Sequence, residues 1–195
     1  MEFDYRAFAF IITLAAVINA LGIIRLLNAF AEYLRNQGRR EIVSYWVYDL
    51  WASFQFLMHI VLWWSLWNLR QVEVFNFGMY LYLLAGPIIL YLSTSLLLPN
   101  LDEDLIDLRI HYFRIRTAFF TTMGLFWLWG IFSWPVFKGV LAPTAPILAA
   151  YLGIMVTLRF TDNPKAHAVL IIAVWAILIF FIAVFGVRLG GVGEL

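Results

Sequence analysis

The sequence predicts an all-α, polytopic integral membrane protein, a bundle of about six transmembrane helices, and three observations carry that class. Of 195 residues, 64% are hydrophobic and 13% charged, against about 45–50% and about 25% in an ordinary soluble domain. The apolar residues fall in six long blocks, and a spanning helix needs about 20 such residues. Tryptophan and tyrosine gather at the block ends, where amphipathic rings sit at headgroup depth. Net charge is +1, so the chain carries no footprint for nucleic acid. With no cysteine, disulfides, thiolate metal sites and cysteine nucleophiles are excluded. The opening "MEFDYRAFAF" has an acidic lead and no small-residue cleavage site, so no cleaved signal peptide is expected.

The blocks place spans at residues 8–30, 45–68, 77–98, 115–137, 143–160 and 167–188, in one domain covering 1–195. The first carries Asn19, Gly22, Arg25 and Asn28 in i+3 steps, with Glu32 on the face of Arg25. The second is ringed by aromatics: Tyr45, Trp46 and Trp51 at the inner end, Trp63, Trp64 and Trp67 at the outer, with Trp134 of the fourth span. Pro87 and Pro135 lie inside the third and fourth spans as kinks, tolerable where neighbours satisfy the freed carbonyls. Only "FKGVLAPT" separates the fourth span from the fifth. Pro143 and Pro146 suit the first turn of the fifth, where a missing N–H costs nothing. The sixth is almost purely apolar, and the glycine-rich "GVRLGGVGEL" after it is expected to fray.

Between the third and fourth spans, "NLDEDLIDLRIHYFRIR" spaces Leu101, Leu105, Leu108 and Tyr112 as one helical stripe. Asn100 with Glu103 resembles a capping box, and acids precede bases as the helix dipole favours. An interfacial helix over 100–113 is expected on the cytoplasmic face. Its Asp102, Glu103, Asp104 and Asp107 would lie over Arg35, Arg39 and Arg40 of the first loop. Lys and Arg number eight in the first, third and fifth loops and four on the other side. That bias puts both termini on the non-cytoplasmic side. An offset of 65 aligns Phe54, Met58 and Trp64 with Phe119, Met123 and Trp129, the pattern of a duplicated hairpin.

The second span raises the chemical question. At about 100° per residue, Asp49 and His59 stand roughly 80° apart around the axis, and Ser53 and Gln55 extend the arc to roughly 160°. So polar an arc belongs against protein or a wet cavity. Phe54, Met58, Val61 and Leu62, opposite it, are the expected lipid face. The first two spans form an antiparallel hairpin with Arg25 and Asp49 at similar depth, so these two are the candidate charge pair. The pair could be a structural bridge or part of an ion path, or Arg25 could snorkel to the headgroups.

The string "YWVYDLWASFQFLMHIVLWWSLWNLR", its W-x-L-W-x-L-R exit and the "DLRIHYF" that opens the fourth span resemble small polytopic bacterial membrane proteins of uncharacterised activity. The resemblance covers about a third of the chain. It implies an all-helical inner-membrane protein and no particular activity.

The leading functional expectation is permeation or transport of an ion, proton or small solute by a homo-oligomer, through Asn19, Arg25, Asp49, Gln55 and His59. The alternative is a non-catalytic accessory or scaffold protein whose aromatic faces bind another membrane protein, lipid or pigment. No acid–base or nucleophile constellation suggests an enzyme. His111 and His167 sit at the cytoplasmic edge far from His59, so no metal site, haem or other cofactor is expected.

Overall fold

The computed structural model describes residues 5–36, 41–72, 75–99 and 105–186. Six α-helices order these residues: α1 (Tyr5–Asn36), α2 (Trp46–Leu66), α3 (Phe77–Leu97), α4 (Leu108–Lys138), α5 (Ala145–Phe160) and α6 (Pro164–Phe181). Two three-residue strands, β1 (Glu41–Val43) and β2 (Leu105–Asp107), pair in parallel with Ile42 opposite Ile106. The chain is all-α, and four of its helices (α1, α3, α4 and α6) are long and apolar enough to cross a membrane. The second helix has the length, but its Asp, Gln, His and Trp side chains lower its mean hydropathy.

Local chemistry sets the boundaries. Asn76 begins α3 by accepting from Met79 N at 2.9 Å. Asp107 begins α4 by accepting from Arg109 N and Ile110 N at 2.8 and 3.0 Å, and Asn163 begins α6 by accepting from Lys165 N at 3.0 Å. These are side-chain oxygens satisfying the free N–H groups of a first turn. Pro146 and Pro164 occupy first-turn positions, while α3 and α4 run through Pro87 and Pro135. Gly139 stops α4 with φ 69°, a left-handed cap that glycine adopts without strain. The expected boundary between the fourth and fifth spans falls there.

Helix contacts close a ring: α1 on α3, α3 on α4, α4 on α5, α5 on α6, α6 on α2 and α2 back on α1. The second helix also touches α3 and α4. The inside is filled mainly by rings. Trp51, fully buried, meets Phe54, Phe119 and Phe120 edge-on at 5.5, 5.6 and 5.2 Å. Trp127 stacks on Tyr151 at 4.1 Å and 7°. Edge-to-face and stacked pairs each add about 0.5–1.5 kcal/mol beyond area burial. Trp51 is therefore core and not part of an interfacial belt, whereas Trp46, Trp63, Trp64 and Trp67 are exposed.

Two expectations need correction. Residues 105–107 form β2, so the segment before the fourth span is a strand leading into α4 and not one helix over 100–113. Asn100, Leu101, Asp102, Glu103 and Asp104 lie outside the described residues, as do Arg39, Arg40 and the tail beyond 186. The strand pair nonetheless brings the first and third loops together. In addition, Phe54, Met58 and Leu62 are buried in the main core, so the side of α2 read as lipid-facing packs against α4 and α6. Buried residues at 47, 48, 51, 54, 55, 58, 59, 62 and 66 follow the i, i+3, i+4 rule. Asp49, Ser53, Ile60, Trp63 and Trp64 occupy the exposed side.

Candidate functional site

The packing divides the polar arc of α2. Gln55 and His59 are 0% exposed, Asn19 of α1 is 1%, and Ser93 and Thr94 of α3 are 0%. These five side chains meet where α1, α2 and α3 converge. Asn19 Nδ2 donates to the His59 carbonyl at 3.0 Å, which leaves its Oδ1 facing His59 Nδ1 at 2.8 Å. His59 Nδ1 is therefore the donor and carries the ring proton. On the other side, His59 Nε2 lies 2.9 Å from Thr94 Oγ1 and accepts its hydrogen. Gln55 Nε2 shares its two hydrogens among Thr94 Oγ1 at 3.1 Å, the Leu90 carbonyl at 3.3 Å and Ser93 Oγ. Ser93 returns its own hydrogen to Leu90 O at 2.8 Å. Every polar atom is engaged except Gln55 Oε1, which is buried without a hydrogen-bond partner.

Backbone proximity makes room for the imidazole. A Cβ at Gly22, one turn beyond Asn19, would stand 2.1 Å from His59 Cε1 and 2.4 Å from Nε2. The buried face of α1 runs Ala15, Asn19, Gly22 and Leu26, and its small residues let α3 and the imidazole come close.

The charged candidates stand apart from this cluster. Arg25, Asn28 and Asp49 are exposed, and no ion pair joins Arg25 to Asp49. Among the described residues the salt bridge is Arg116 with Asp162. Asp49 receives one long contact, from Ser44 Oγ at 3.5 Å. The expected charge pair is therefore not formed. Its two residues face outward while the neutral Asn19, Gln55 and His59 face inward. Asp49→Asn is predicted to change stability by less than about 0.5 kcal/mol, read as the thermal unfolding midpoint of purified protein in detergent. A loss several times larger would restore the bridge.

Three further polar contacts are not legible in the sequence. Tyr112 donates to His167 Nδ1 at 2.7 Å, and His167 Nε2 donates to Thr161 O at 2.9 Å, tying α4 to the start of α6. His111 Nε2 sits 2.8 Å from Leu97 O, tying α4 to the end of α3. All three histidines of the chain are thus inter-element clasps. Tyr112→Phe should leave His167 Nδ1 buried and unpaired, lowering stability by about 1–3 kcal/mol in chemical denaturation. An unchanged midpoint would contradict the clasp.

Two cavities flank the cluster without touching it. A cleft of about 170 Å³ is lined by Trp127, Tyr151, Leu62 and Leu83 among other apolar side chains, with Asn68, Ser133, Thr144 and Lys138 among its polar lining. Lys138 Nζ lies 4.3 Å from the centre of the Trp134 ring. A second groove, about 610 Å³, opens between α1 and α2. Neither is lined by Asn19, Gln55, His59, Ser93 or Thr94. Among the described residues no three His, Asp or Glu side chains converge as metal ligands would.

Fold and site together define a helical, strongly apolar protein in which the buried cluster of Asn19, Gln55, His59, Ser93 and Thr94 joins three helices and lines neither cavity. The chain matches no family model, no curated protein and no solved structure.

Proposed function

We propose that this chain is a six-span inner-membrane accessory protein, non-catalytic, which binds a lipid-class apolar ligand in the cleft above Trp127 and Tyr151. The observation that carries this reading is the cleft itself, lined mainly by aromatic and aliphatic side chains with a few polar groups among them. Ligand sites are mostly apolar concavities with few, placed polar groups. Six spans are supported by the ring of helix contacts and by the strand pair, which joins the first and third loops on one side. That side is cytoplasmic by its arginine and lysine excess, so both termini face the other way. The 16 residues of α5 reach about 24 Å, a shortfall that local thinning of the bilayer accommodates.

A pyrene-labelled fatty acid provides the test. Saturable binding near one molecule per chain, weakened at least tenfold by Ser133→Trp at the mouth, is the predicted result. Linear, unsaturable uptake that is identical in that variant would overturn the reading.

A second reading, permeation of an ion, proton or small solute through a homo-oligomer, has one observation in its favour. Gln55 Oε1 is a buried acceptor with no hydrogen-bond partner, and intramembrane polar groups often line pathways. Gradient-driven flux in proteoliposomes that disappears in Gln55→Leu would favour this second reading over the first.

A further inference from the structure

The groove between α1 and α2 shares no lining residue with the cleft, and its chemistry is ordered along its length. On α1 the lining runs from Leu26 and Phe30 to Tyr33, and on α2 from Phe56 back to Asp49. The lined stretch is eight residues on α1, Leu26 to Tyr33, and ten on α2, Tyr48 to Leu57, about 10–15 Å of helix axis. The helices run in opposite directions, so Tyr33 of α1 and Tyr48 and Asp49 of α2 share the end nearest β1, where Ile42, Leu98, Pro99 and Leu108 add an apolar lining. The deeper end is apolar on both walls. Asp49 is the charged side chain among the described lining residues, and its carboxylate has the single long contact from Ser44. A carboxylate with free acceptor capacity, held at interfacial depth above an apolar slot, complements a guest with an N–H cation at one end and a hydrocarbon chain at the other.

We propose that this groove binds a phospholipid with a primary-ammonium headgroup, its ammonium on the Asp49 carboxylate and one acyl chain between α1 and α2. A primary ammonium offers three N–H donors to the carboxylate, whereas a quaternary ammonium offers none. A headgroup of net negative charge is repelled by Asp49. The volume of about 610 Å³ lies within the usual span of ligand pockets, about 300–1,000 Å³. At interfacial depth the Asp49 carboxylate, with its one long contact from Ser44, gains a counter-ion from such a headgroup.

Native mass spectrometry of the full chain, released from detergent after exposure to phosphatidylethanolamine, phosphatidylcholine or phosphatidylglycerol of identical acyl composition, tests the proposal. One retained phosphatidylethanolamine, at least tenfold above the other two, is the expected result. Asp49→Asn should reduce that retention to the level of phosphatidylcholine. Ala52→Trp, which fills the groove and leaves the carboxylate, should abolish it. Helicity and melting temperature establish that each variant is folded, and the exposed Asp49→Asn exchange suffices if Ala52→Trp does not fold. Equal retention of the three lipids, preference for phosphatidylcholine or phosphatidylglycerol, or retention unchanged by a folded variant would overturn the assignment. Each result is independent of fatty-acid binding in the cleft.

Discussion

Gly22→Ala should be among the most damaging single-methyl changes available in this protein, lowering its stability by about 2–4 kcal/mol. The added carbon would stand 2.1 Å from His59 Cε1, inside any tolerable contact. The imidazole has nowhere inexpensive to go, because it is fully buried and held from both sides by Asn19 and Thr94. Overpacking typically costs about 1–3 kcal/mol, and a displaced buried hydrogen-bonding group adds about 1–3 kcal/mol. The same methyl should be nearly neutral in a His59→Ala background, where the ring is gone. A thermodynamic cycle over the two positions therefore separates a specific collision from a general loss of helix contact. Equal costs in both backgrounds would rule out the collision.

Gly86→Val should part α3 from α4, at about 3–5 kcal/mol by the same reasoning. Here a Cβ would fall 2.4 Å from Trp129 Cη2 and Cζ2. Trp129 lies flat on α3 because the contact is reciprocal. Its Nε1 donates to Tyr82 O at 2.8 Å while Tyr82 OH donates to Trp129 O at 2.5 Å, and the two rings stack at 6.0 Å and 24°. Losing the seat for the indole breaks both bonds at once. Quenching of tryptophan emission together with a lowered melting temperature would report the change. Retained near-ultraviolet dichroism and an unaltered midpoint would contradict it.

Much of the fold was legible because hydrophobic blocks and cap residues act locally. Asn76, Asp107, Asn163 and Gly139 mark helix ends in the residue order itself, and the proline-bearing start of α5 does the same. The inward turn of His59 and Gln55 was legible too, since neither belongs in hydrocarbon. What failed was the assumption that one polar arc has one destination. Asp49 and Ser53 lie in the first two turns of α2 on its exposed side, so packing does not force them inward as it forces His59. The lipid-face reading of Phe54, Met58 and Leu62 failed for a related reason. Helix α2 has neighbours on two sides, and an aromatic or aliphatic residue suits a lipid or a protein neighbour equally. Ser93 and Thr94 carry no signal in the sequence because hydroxyls in an apolar run usually return a hydrogen bond to their own helix. Their role appears only when α3 is placed beside α2. The strand pair was illegible because its register depends on two loops far apart in the chain.

His59 is a sealed structural link between α1, α2 and α3, and lines neither cavity. Nitrogen-15 spectroscopy of the His59 ring, in protein reconstituted into bilayers at neutral pH, tests that most directly. The hydrogen bonds require a single neutral tautomer with the proton on Nδ1, coupled to Asn19 and exchanging slowly with water. That spectrum should vanish into tautomer averaging in Asn19→Ala. An imidazolium signal, an Nε2-protonated ring, or rapid exchange of the ring proton with water in the unaltered protein would show that the site is open to a path, and would contradict the account.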